Sequence, residues 1–145
     1  MTDTSRKTLL RTELLILLAF FIFAAVTCTY MFVKAYDEAK DAEALGKAVV
    51  KTTSIAETLK AKKGDLAKTG ALLGEKSSYE TGDDSLTLYL GSSMEPVSRS
   101  AAAYTAVVTK EKKGLLDEFV ITVRESEEST VVYELDLKAV TGGGK

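Results

Sequence analysis

The 145-residue chain is long enough for one small domain with an appendage, and its 46% apolar and 28% charged residues exclude both a disordered chain and one wholly embedded in lipid. A net charge of −2, from 19 basic and 21 acidic side chains, excludes nucleic-acid binding by bulk phosphate neutralisation. With no His and one Cys, His-based triads, zinc fingers and an internal disulfide framework are excluded as well.

Residues 1–13 form a short basic leader carrying Arg6, Lys7 and Arg11. From Leu14 to Val33 the chain reads LLILLAFFIFAAVTCTYMFV, twenty residues without a charge. As a helix this run spans about 30 Å, the thickness of a bilayer's hydrocarbon core. Twelve of the twenty are Leu, Ile, Phe or Val, among them Leu14, Leu17, Phe20, Phe23 and Val33. At about −0.3 to −0.6 kcal/mol each, these twelve favour insertion by about 4–7 kcal/mol. A single transmembrane helix with membrane lipid as its partner is therefore expected. The positive flank places the N-terminus in the cytoplasm and residues 34–145 outside it, with the helix crossing the cell membrane once. A removable signal sequence is the weaker reading, because its apolar core is usually about 7–15 residues long and ends at small residues. Cys28-Thr29-Tyr30-Met31 is a poor exit, and Thr27 before Cys28 does not suit lipidation. Cys28 reads as a small apolar membrane residue.

Residues 34–62 continue the helix as an amphipathic segment. Ala35, Ala39, Ala42, Leu45, Val49, Thr53, Ala56 and Leu59 recur at steps of three and four, which predicts one narrow stripe. No Pro occurs before Pro96, and the first stop is Lys63-Gly64-Asp65, with Lys60, Lys62 and Lys63 suited to a helix C-terminus. One helix from Leu9 to Lys60 would measure about 78 Å. The Ala-rich stripe favours packing on a sheet over a coiled coil.

Residues 63–84 predict a loop with a short helical turn from Asp65 to Leu73. Residues 85–140 predict an antiparallel sheet of about four strands: Leu86–Leu90, Tyr104–Thr109, Glu118–Arg124 and Val131–Lys138. Phe119, Ile121 and Val123 share one face. In the last strand Val131, Tyr133, Leu135 and Leu137 are expected inward, with Glu134, Asp136 and Lys138 outward. Lys110–Gly114 and Ser126–Ser129 suit hairpin connections. Residues 141–145, Gly-rich, predict a flexible tail. The fold class is α+β, with a greasy sheet face wrapping the C-terminal half of the long helix.

No catalytic, cofactor-binding or metal-ligating residue is assigned, and the chain is read as a non-enzyme. Asp83-Asp84 lies in a Gly-flanked turn, and Glu125, Glu127 and Glu128 lie in a hairpin loop, where solvated charges are the ordinary occupants. Neither group has calcium-loop spacing. Gly70–Gly74 lacks the Lys-Ser/Thr ending of a phosphate loop. Tyr79, Tyr89, Tyr104 and Tyr133 read as sheet and rim residues.

A basic leader, a carboxylate at the mouth of an apolar run, an unbroken amphipathic extension and a C-terminal antiparallel sheet together resemble type IV pilins, most of all the small pseudopilins of type II secretion systems. The local match is Leu9-Leu-Arg-Thr-Glu13-Leu-Leu-Ile-Leu-Leu, which is similar to the prepilin segment whose fifth mature residue is Glu. The resemblance implies a structural subunit of a type IV pilus or type II secretion-like filament, a minor pilin or pseudopilin in protein transport. It implies cleavage by a prepilin peptidase between Thr8 and Leu9, with Thr8 standing where the family normally has Gly and Arg11 lying within the mature start. Its implied partners are other pilin-like subunits, an assembly ATPase and an inner-membrane platform protein. Glu13 would then neutralise the N-terminal ammonium of a neighbouring subunit during assembly, since a lone carboxylate among apolar helices is costly. On its residues alone, Glu13 at the membrane interface, hydrated and without a partner, serves equally well. The alternative function is a stand-alone single-pass anchor for an extracytoplasmic binding or sensor domain.

Overall fold

The computed structural model describes residues 3–114 and 116–139. A single α-helix, α1, runs from Asp3 to Ala61; α2 spans Leu66–Leu73; five strands follow, β1 (Tyr79–Thr81), β2 (Ser85–Leu90), β3 (Tyr104–Lys113), β4 (Leu116–Glu125) and β5 (Val131–Ala139), with a 3-10 turn at Arg99–Ala101. The chain divides into two units, Met1–Ala42 and Glu43–Lys145. The described part of the first is α1 alone. Among the described residues the helix already runs from Asp3, so residues 3–13 of the basic leader are helical and the helix extends at least six residues ahead of the expected Leu9.

Within the second unit, the fold is α+β: the last turns of α1 pack on a five-stranded antiparallel sheet of order β1-β2-β3-β4-β5. The layout matches the pilin-like arrangement expected. The sheet has one strand more than expected, because Tyr79, Glu80 and Thr81, assigned to the loop, pair with Leu88, Thr87 and Leu86. Three residues carry no legible alternation, and the neighbouring strand supplies what fixes them. The β3–β4 ladder continues to Lys113↔Leu116, so residues 110–113 belong to the strand rather than to the predicted connection. The expected tail, 141–145, lies outside the described residues.

The end of α1 is set by backbone chemistry. Lys63 takes φ 55° and Gly64 φ 76°, while the Gly64 N–H donates to Leu59 O at 2.9 Å and the Lys63 N–H to Lys60 O at 3.0 Å. These bonds satisfy carbonyls that the last helical turn would otherwise leave open. Gly64 is required twice over, since a Cβ there would lie 2.8 Å from Phe119 Cζ. Asp65 then caps α2, accepting from the Lys68 N–H at 3.0 Å.

The core joins Ala48, Ile55, Ala56 and Leu59 of α1 to Leu86, Leu88 and Leu90 of β2, Ala106 and Val108 of β3 and Phe119, Ile121 and Val123 of β4. The buried face of α1 is therefore Ala48, Thr52, Ile55, Ala56 and Leu59: Ala56 and Leu59 of the predicted stripe are buried, whereas before them the face is shifted and Leu45, Val49 and Thr53 are exposed. Ala35, Ala39 and Ala42 are exposed too. Small residues at 48, 52 and 56 let the helix approach the sheet closely, and this outweighs the larger apolar surface of Leu45 and Val49. On β5, Tyr133, Leu135 and Leu137 only partly reach the core, and Val131 remains 48% exposed rather than inward. A register shift between Val123 and Arg124 puts Arg124 opposite Val131 while Val123 faces Tyr133, which breaks the alternation at the start of β5.

Two substitutions test this core. Thr52 is fully buried, and among the described residues its hydroxyl has no hydrogen-bond partner. Thr52→Val keeps the shape and removes the stranded dipole, so it is expected to raise unfolding free energy by about 1–3 kcal/mol. Ile121→Ala, at 0% exposure, should cost about 2–5 kcal/mol, and Leu135→Ala clearly less because its site is only partly covered. Denaturant titration of all three variants gives the comparison.

Candidate functional site

The N-terminal segment presents apolar side chains on every side of α1. Leu14, Leu17, Phe20, Phe23 and Val33 are 69%, 50%, 68%, 72% and 57% exposed, although they project around the whole helix. A helix apolar all round belongs in a protein core or a membrane, and among the described residues no protein core covers this one. It is long and apolar enough to cross a membrane. Its two threonines are answered locally: Thr27 Oγ1 donates to Phe23 O and Thr29 Oγ1 to Ala25 O, each at 2.9 Å. In hydrocarbon such back-bonding replaces the water that a hydroxyl would otherwise need. Cys28 is exposed on the same surface.

Glu13 sits on α1 immediately before this run and is exposed. Thr8 and Leu9 lie in the same helix, where the Thr12 hydroxyl donates to Thr8 O at 2.9 Å. The bond between Thr8 and Leu9 is thus held in helical geometry, and a peptidase that reads an extended chain must first unwind it. Leu9 is itself 59% exposed, so the apolar surface begins ahead of Glu13.

The sheet domain carries its charges in pairs. Lys113 and Glu118 form an ion pair, joined by Glu111 on Lys113 and Lys138 on Glu118. Lys110 Nζ meets the buried Asp117 at 2.9 Å and lies 5.8 Å from the Phe119 ring centre, beside the turn that ends α1. Arg99 bridges to Glu80 at 3.1 Å and lies 5.8 Å over the Tyr89 ring. Burial, with Glu80 alongside, pushes the Tyr89 phenol above its usual value. Asp83 and Asp84 occupy the exposed β1–β2 turn, and Glu127 and Glu128 the exposed β4–β5 turn, as solvated charges. Among the described residues, no three carboxylates or thiols converge to hold a metal ion.

A groove of about 440 Å³ opens beside α1, lined by Gly46, Lys47, Val50, Lys51 and Ser54 and by Ser93 and Met94 of the β2–β3 connection. Sequence reasoning missed it, because it depends on residues 91–97 folding back against the helix, with buried Met94 at φ 62°. Its only advance mark is Gly46, the lone glycine of the amphipathic segment. Lys47 bonds Glu43 at 2.7 Å, whereas burial pushes the Lys51 ammonium below its usual value, an effect partly offset by Glu95.

No family model, curated protein or solved structure matches the chain.

The ion cluster predicts a pH dependence. The Lys113 hydrogen bond holds Glu118 below its ordinary 4.5, so this contribution to stability is complete above that value and is lost as pH falls through the depressed one. Lys113 is raised above 10.5 by the same bond, so its share is lost as pH rises through the raised value. Glu118→Gln should flatten both slopes of melting temperature against pH; unchanged slopes would show that the cluster contributes nothing.

Proposed function

We propose that the chain is a structural subunit of a type IV pilus or type II secretion-like filament, a minor pilin or pseudopilin. One observation carries the reading: a single helix, Asp3–Ala61, exposes its large apolar side chains over the uncharged run Leu14–Val33 and supplies core residues to a sheet domain from its later turns. A surface of that kind is stable only against lipid or against other apolar helices. In this reading Arg6, Lys7 and Arg11 keep the N-terminus cytoplasmic and the sheet domain stands on the other side of the membrane. Neighbouring pilin-like subunits replace lipid around the apolar segment when the filament forms. An assembly ATPase and a platform protein drive that transfer, so the chain needs no catalytic residue of its own. A prepilin peptidase would cut between Thr8 and Leu9, after which Glu13 neutralises the ammonium of a neighbour's Leu9.

Two observations favour a second reading, a stand-alone membrane anchor for a binding or sensor domain. Thr8 stands where the family has Gly, and the Thr8–Leu9 bond is helical. Intact mass of the membrane-extracted protein separates the two: a chain starting at Leu9 supports the filament, and one retaining the leader supports the anchor.

Membrane insertion is tested independently. Leu17→Asp and Phe23→Asp each place a charge in the apolar run at a cost of about 2.5–3.5 kcal/mol at the bilayer centre. Both variants should lose alkali-resistant membrane association, and Phe23→Asp, nearer the middle of the run, should lose more. Full retention of both would overturn the insertion that the two readings share.

A further inference from the structure

The groove beside α1 and the β4–β5 turn are complementary in charge and lie at the same end of the sheet. No carboxylate lines the groove wall itself, though Glu95, next to Met94, acts on both Lys47 and Lys51. Lys47 is committed to Glu43, but Lys51, half-buried, forms no ion pair among the described residues. Between the two lysines Val50 is 71% exposed, and at Gly46 an added Cβ would meet nothing within 4 Å, so the groove is open there. The turn is its counterpart. Glu127 and Glu128 are exposed and form no ion pair among the described residues, and Val131, just beyond them, is an exposed apolar side chain.

Topology places these two features at one end of the sheet. Leu90 pairs with Tyr104, and Tyr104 with Glu125; the Ser126 N–H then donates to Ala103 O at 2.9 Å. The connection that walls the groove therefore lies level with the turn, while the strand order separates β2 from β5. Two copies standing side by side in the same orientation, the β5 edge of one towards the β1 edge of the next, bring the turn of one to the groove end of its neighbour.

We propose that this groove receives the Glu127–Glu128 turn of a second copy of the chain, with Lys51 meeting the carboxylates and Val50 covered by Val131. The contact is heterologous, because each copy gives its turn to one neighbour and receives a turn from another, and such a contact propagates unless its rotation closes a ring. It rests on the filament reading, in which copies share one membrane and one orientation. A carboxylate beside Lys51 also compensates an ammonium that burial otherwise disfavours.

The test uses the full chain in lipid vesicles, in a Cys28→Ser background carrying Ser54→Cys in the groove and Ser129→Cys on the turn. Oxidation should produce a ladder of covalent multimers. Glu128→Lys should cut the crosslinked fraction roughly tenfold, and adding Lys51→Glu should restore it, since the charges are then exchanged across the same contact. Melting curves of the charge variants confirm that each is folded. If formaldehyde joins copies but the cysteine pair yields no ladder, or if the charge exchange restores nothing, this contact is wrong and the filament reading stands. If neither reagent joins copies, the contact is wrong as well, and the intact mass of the membrane-extracted protein decides the filament reading separately.

Discussion

The constraint on which the rest of the structure depends is the exposure of an apolar helix. Between Leu14 and Val33 the chain lays out large aliphatic and aromatic side chains with no charge among them and, among the described residues, no protein over them. Helical geometry satisfies the backbone internally, and Thr27 and Thr29 return their hydroxyls to carbonyls one turn back. The backbone and both threonines are therefore satisfied, while hydrophobic burial is unfinished. Lipid or other helices must complete it.

The same helix has a different task after Glu43. There the chain chooses small residues, Ala48, Thr52 and Ala56, where α1 meets the sheet, and places Ile55 and Leu59 beside them. The strands answer with fully buried Leu86, Leu88, Val108, Phe119 and Ile121. Gly70 extends the pattern in α2, where a Cβ would fall 2.7 Å from Tyr79 Cδ2 and 2.9 Å from Leu86 Cδ1. Close approach of backbone to sheet, rather than bulk hydrophobicity, orients both helices. Leu45, Val49 and Val50 on α1, Leu72 on α2, Leu116 on β4 and Val131 at the start of β5 remain exposed as apolar surface open to contacts beyond this chain.

Much of this was legible in the sequence, for reasons that can be named. A long uncharged run, an absence of Pro and a Lys-Gly-Asp stop determine a helix by composition and local backbone chemistry. Leu86–Leu90 and Phe119–Val123 alternate cleanly, so their strands and inward faces were readable. The predicted stripe held at Ala56 and Leu59 and failed before them, because periodicity follows the larger apolar residues, Leu45 and Val49, while packing follows the smaller ones. β1 was invisible because Tyr79–Thr81 owes its extended form to pairing with β2. Val131 was misplaced by a register shift that no local pattern announces. The groove at Lys51 depends on the return of residues 91–97, and charge pairs such as Lys110–Asp117 depend on strand register; both are tertiary facts.

Hydrogen exchange of the full chain in lipid nanodiscs, read residue by residue from Leu14 to Leu59, tests most directly whether one helix links the apolar segment to the sheet core. The account predicts protection across residues 34–47 well above that of the β4–β5 turn, with no gap between the two ends. A stretch of freely exchanging amides within 34–47 would contradict it, because the apolar segment and the domain would then be separate elements joined by a flexible link.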